Sequence, residues 1–149
     1  ALKRDELEVH FQPVVDGFSG RIDSIEALVR WRHPTAGMLD PSHFIALAEE
    51  SGLIRELTAT VMNQAFRRLP EGRDAGLADL RVAVNVSARE FLRARFIEDT
   101  MQRLQAGRLP PDALELEITE SMLIEDLDLA VARVNFLRGA GVRVSIDDF

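Results

Sequence analysis

The chain is predicted to be an α/β domain built on parallel strands, opened by one antiparallel hairpin. Three observations predict it. Short strand-like runs alternate with helical stretches of roughly 12–18 residues, the pattern of parallel strands joined by right-handed crossovers. The first two runs are joined by turn chemistry instead of a helix. Each later strand-like run has one apolar and one polar face.

The elements follow in order. Val9–Val15 alternates Val9 and Phe11 against His10 and Gln12, and Asp16-Gly17-Phe18-Ser19-Gly20 is a turn. Ile22–Trp31 is the returning strand of the hairpin. Pro34 and Gly37 break the chain. Pro41 then opens a helix to about Ser51, with Gly52 as its stop. Ile54–Leu69 is a second helix, carrying the stripe Leu57, Val61, Ala65 and Leu69. Arg81–Val86 is a strand. Ser87, with Glu90 three residues on, reads as a capping box opening one helix to about Ala106, ended by Gly107. Pro110-Pro111 precede the strand Leu114–Ile118. Asp126 or a neighbour starts a helix with Leu129, Val134 and Leu137, and Gly139 and Gly141 end it. Val142–Ile146 is the last strand, followed by Asp147-Asp148-Phe149.

At 149 residues the chain suits one domain. Its 46% apolar content argues against disorder. No apolar run reaches the ~18 residues of a membrane span, and no signal-peptide pattern opens the chain. Zero cysteines exclude disulfides, thiolate zinc and a cysteine nucleophile, and are compatible with the reducing cytoplasm. The net charge is −7, concentrated late: residues 1–109 hold 15 basic and 16 acidic side chains, residues 110–149 hold 3 and 9. A basic nucleic-acid footprint is absent, so no nucleic-acid polymer is expected as partner. The acidic end is read either as solvated helix faces or as a cation site.

Each strand after the first carries an oxygen-bearing side chain on its polar face: Glu26, Asn85, Glu117 and Asp147. Three of the four lie at or near the carboxyl end of their strand. Glu26 sits mid-strand, and Arg30 reaches the end ~13 Å further on, at ~3.3 Å per residue. A solvated sheet face is the bland explanation. Against it, three carboxylates and an amide converging without a cation would repel one another. The carboxyl ends of strands are where α/β folds build sites. Oxygen-only ligands suit a hard ion such as Mg²⁺, Mn²⁺ or Ca²⁺.

These residues also carry a resemblance. Glu26-Ala27-Leu28 with Val29-Arg30-Trp31 resembles the signature of EAL domains, which hydrolyse the bacterial second messenger cyclic di-GMP. Phe11-Gln12-Pro13-Val14-Val15, Arg32-His33-Pro34 with Gly37, and Phe44-Ile45 through Ala48–Ile54 resemble further family segments. So do Val84-Asn85-Val86-Ser87, Leu114–Ser121 and Asp147-Asp148-Phe149, all in family order. Phe11 stands where tyrosine is usual, and Ala46 where proline is usual.

The resemblance implies a TIM-like (β/α) barrel of EAL type with an antiparallel first strand, incomplete here at about five strands. It implies metal-dependent hydrolysis of cyclic di-GMP to linear pGpG, with Mg²⁺ or Mn²⁺ in a two-metal site. By motif, Glu26, Asn85, Glu117, Asp147 and Asp148 resemble the metal ligands. Glu26, Asp147 and Asp148 resemble the catalytic set, and Gln12, Leu28 and Arg30 the substrate contacts. Glu120 resembles the glutamate that steadies the loop after the paired aspartates. Arg30 could instead pair with a barrel carboxylate, and Asp148 could be a turn or helix-cap residue. Trp31 reads as packing, and His10, His33 and His43 as structural.

A TIM barrel usually needs ~250 residues. The chain is therefore expected to be the N-terminal part (1–149) of a single EAL domain, with little or no activity alone. Three readings of its length stand: a truncated piece, a domain completed by self-association or a dimer partner, or a natural half-barrel that binds. The alternatives in function are a non-hydrolytic cyclic di-GMP receptor and a protein-interaction module. A fused sensor or GGDEF-type domain is an expected neighbour in the parent protein, which could itself be membrane-tethered.

Overall fold

The computed structural model describes residues 6–119 and 126–147, the last by its backbone only. Among these residues six strands form one open sheet in the order β1-β2-β4-β5-β6, with β3 beside β2. Strand β1 (Leu7–Val15) pairs antiparallel with β2 (Ile22–His33), from Leu7 opposite Trp31 to Val15 opposite Ile22. Asp16 builds the turn between them. Its Oδ1 accepts the Phe18 N–H at 2.8 Å, and Gly20 turns the chain at φ 68°. From β2 onward the long strands run parallel: β4 (Arg81–Asn85), β5 (Leu114–Thr119) and β6 (Arg143–Asp147). The α/β class and the antiparallel first strand are as expected, in an incomplete barrel.

Strand β3 (Gly37–Leu39) is one the sequence reading missed. Pro34 and Gly37 read as breakers, yet they close a tight turn. His33 Nδ1 accepts the N–H groups of Thr35 at 3.2 Å and Ala36 at 3.0 Å, and Gly37 sits at φ 77°. Three residues are too few for an alternation signal to show.

Helices α1 (Pro41–Ser51) and α2 (Ile54–Asp74) flank Gly52, whose φ of 78° ends α1 as expected. Helix α2 runs past its expected end at Leu69, with Pro70 inside it. Proline removes a single helical donor. The turn beyond it is held by packing: Gly72 lies so close to Leu80 that a Cβ there would meet Leu80 Cδ2 at 2.6 Å. Arg73 Nε adds a hydrogen bond to the Leu80 carbonyl at 3.0 Å.

The single helix expected from Ser87 to Ala106 is two: α3 (Ala88–Phe91) and α4 (Phe96–Ala106). Ser87 caps as expected, its Oγ accepting the Glu90 N–H at 3.2 Å. The other half of the capping box is absent, because the Glu90 carboxylate is taken by Arg93 at 2.9–3.1 Å. A distant residue bridges the carbonyls at the break. Arg133 donates to the carbonyls of Phe91 and Arg93, acceptors that a continuous helix would use four residues on. Arg133 belongs to α5 (Leu127–Ala140), which opens where expected, with Asp126 Oδ1 accepting the Leu129 N–H at 3.1 Å. Gly141 closes it at φ 102°.

The two faces of the sheet divide as the alternation requires. Val82, Val84, Leu114, Leu116, Ile118 and Val144 are buried against helix residues such as Phe44, Met62, Leu69, Phe91, Phe96, Leu104 and Leu137. Losing one such side chain to alanine typically costs ~2–5 kcal/mol. On the other face Glu26, Leu28, Glu115 and Glu117 are half-buried and Asn85 is exposed. Among the described residues no helix is long and apolar enough to cross a membrane.

Candidate active site

Parallel register brings the polar residues of separate strands level with one another. Glu26 lies opposite Ala83, and Asn85 lies opposite Glu117. Ala83 leaves only a methyl group beside Glu26. Asn85, two residues on and on the same face, reaches back across it. Its Nδ2 donates to Glu26 Oε1 at 3.1 Å, joining residues 59 apart in sequence. Glu117 follows on the next strand. Thr119 lies opposite Asp147, which places the backbone of Asp147 one strand further on at the same end.

The first strand adds to this face from the other side. Gln12 lies directly opposite Glu26 in the antiparallel ladder, so the two share a face. Leu28 and Arg30 continue it toward the carboxyl end of β2. Arg30 is held twice: its Nη1 donates to the Val29 carbonyl at 2.9 Å, and its Nε lies 3.1 Å from Asp40 Oδ1. The partner is a loop aspartate at the head of α1, not one of the strand carboxylates. Asp40 directly precedes Pro41, and no local signal in the sequence ties it to Arg30. A cavity of about 400 Å³ opens beside these strand ends, touching Leu28, Asn85 and Thr119 but lined mostly by the helix-facing side of the sheet and by α1 and α2, among them Ala27, Val29, Ile45, Leu57 and Val61; Glu26, Arg30 and Glu117 do not line it.

Of the expected site residues, Gln12, Glu26, Leu28, Arg30, Asn85 and Glu117 share this end and face of the sheet. Glu120 and Asp148 lie outside the described residues, as does the side chain of Asp147. Among the described residues no group of three or more His, Asp or Glu side chains is gathered closely enough to hold a metal ion. The described donors are nevertheless all oxygen-bearing, the chemistry a hard divalent cation takes.

Trp31 packs, with its ring edge-on to Phe44 at 5.8 Å, and its Nε1 donates to Glu6 at 2.9 Å. His33 organises its turn. His10 lies 3.3 Å from Glu8 at the surface.

Oxygen donors at the carboxyl ends of adjacent parallel strands, beside a cavity, define an α/β barrel-type domain with a polar site at its rim. The family match is specific. The model of the EAL domain matches residues 1–149, and the chain belongs to that family. It is 43% identical over 149 residues to the cyclic di-GMP phosphodiesterase NbdA of Pseudomonas aeruginosa, covering all of this chain and 19% of that protein. It is 40% identical over 149 residues to the cyclic di-GMP phosphodiesterase PdeR of Escherichia coli, again covering all of this chain and 22% of that protein. A solved structure described as PaMucR phosphodiesterase in a c-di-GMP complex superimposes with a TM-score of 0.92 at 38% identity. That match covers 98% of this chain and 59% of the solved one. The chain thus spans about a fifth of the length of these two curated relatives.

Proposed function

We propose that this chain is the N-terminal part of a single EAL domain that hydrolyses cyclic di-GMP to linear pGpG with Mg²⁺ or Mn²⁺. The observation that carries the reading is the Glu26–Asn85 contact at 3.1 Å, with Glu117 in register beside it, in a chain of this family. Relatives named as cyclic di-GMP phosphodiesterases support it.

In this reading Glu26, Asn85, Glu117, Asp147 and Asp148 hold two divalent cations. When bound, the metal pair supplies an acidified water and neutralises charge at the phosphorus and the leaving oxygen. The chain's residues do the rest. Glu26, Asp147 and Asp148 orient the attacking water by accepting its hydrogen bonds. Arg30 donates a charge-assisted hydrogen bond to a non-bridging phosphate oxygen. Gln12 and Leu28 line the substrate pocket, one by hydrogen bonding and one by apolar contact. Glu120 steadies the loop that follows the paired aspartates. The substrate is the cytoplasmic messenger, and an input domain of sensor or GGDEF type in the parent protein would set the activity. Isolated residues 1–149 are expected to turn over little substrate.

The test is cyclic di-GMP hydrolysis by the full-length protein with Mg²⁺, with Mn²⁺ and with chelator, alongside Glu26→Gln. Metal-dependent release of pGpG, lost in Glu26→Gln, is the expected result. Tight binding without turnover would make the domain a receptor. Neither binding nor turnover, with self-association indifferent to nucleotide, would make it an interaction module.

A further inference from the structure

The geometry points to Asp40 as a positioning residue for Arg30, one that fixes the guanidinium for a substrate phosphate. The inference rests on the proposed function. Asp40 occupies the N-cap position of α1, with extended backbone angles of φ −78° and ψ 159°. That is the usual place for an aspartate to cap a helix. Yet its side chain makes no cap hydrogen bond. The carboxylate turns instead to Arg30 Nε at 3.1 Å.

Arg30 is thereby pinned at two points. Nε faces Asp40, and Nη1 faces the carbonyl of Val29. Among the described residues no hydrogen bond or ion pair engages Nη2. A guanidinium is planar, so two fixed nitrogens determine where the third points. Without Asp40 the head of Arg30 would swing about its one backbone hydrogen bond. The Arg30 side chain is 23% exposed and that of Asp40 63%. An ion pair this wet adds little to stability. Its worth lies in orientation, which a static charge alone does not supply.

The experiment is a double-mutant cycle in the full-length protein, read by steady-state hydrolysis of cyclic di-GMP. Asp40→Ala is expected to raise KM about five-fold and to leave kcat within about two-fold, the scale of one exposed ion pair. Asp40→Glu should recover much of that loss. In an Arg30→Ala background, Asp40→Ala should change KM by less than about 1.5-fold, because its effect passes through Arg30. The Arg30 Nε–H resonance should shift in Asp40→Ala before any substrate is added. Equal losses in both backgrounds would mean that Asp40 meets substrate directly and would overturn the positioning role. So would an unchanged KM, or an unmoved Nε–H resonance. A wild-type protein that neither binds nor hydrolyses cyclic di-GMP would sink the function reading, and this role with it.

Discussion

Two glutamates show how differently this fold treats a carboxylate. Glu90 is 2% exposed and completely engaged. Arg93 grips both its oxygens, and Arg93 Nη2 also lies 2.9 Å from Asp99. The Glu90 carboxylate raises the Arg93 pKa above its ordinary value, while burial and the neighbouring Arg93 charge lower that of Arg133. This cluster ties α3, α4 and α5 together and leaves little for a ligand to bind. Glu26 is half-buried, and the contact described for it is a single amide hydrogen bond from Asn85, itself exposed. Where the protein satisfies its own charges, the result is structure. Where strand register gathers oxygen atoms from separate strands at one end of the sheet, the result is a candidate site.

That contrast can be broken or sharpened by mutation of the full-length protein. Glu26→Gln should lower phosphodiesterase activity roughly 10²–10³-fold, the scale of losing a group that acts on developing charge. Its melting temperature should stay within about 2 °C of wild type. Glu90→Ala should do the reverse. It leaves Arg93 short of its main partner and should cost about 3 kcal/mol of domain stability in urea, with KM unchanged in the folded fraction. A stable Glu90→Ala protein without activity would invert the assignment of the two clusters. Arg133→Ala strips the donor from two backbone carbonyls and should cost about 1–2 kcal/mol. It should also raise amide hydrogen exchange at residues 92–95. Ser87→Ala should be mildest, at about 1 kcal/mol for a lost helix cap, measured by the same urea titration.

Much of the architecture was legible in the residues. Strand alternation, Pro41 opening α1, Gly52 and Gly141 closing α1 and α5, and Asp126 capping α5 all act within a few positions of themselves. The candidate site was legible to the same extent. Period-2 alternation places Glu26, Asn85 and Glu117 on the face away from the helices. What was not legible depended on partners far along the chain. The Arg133 bridge at the break between α3 and α4 is invisible locally, because Arg133 lies about 40 residues beyond it. Strand β3 has too few residues for a periodic signal. Helix α2 outlasts its proline because Leu80 closes on Gly72.

The sequence by itself determined which residues form strands and helices, and which side of each strand is polar, because periodicity and capping are short-range. Only the tertiary structure decided that Asn85 meets Glu26 and that Arg30 is held by Asp40. Those contacts depend on the register in which separate strands align and on where a loop returns. Hydrogen bonds between strands, together with the helices packed across them, set that register.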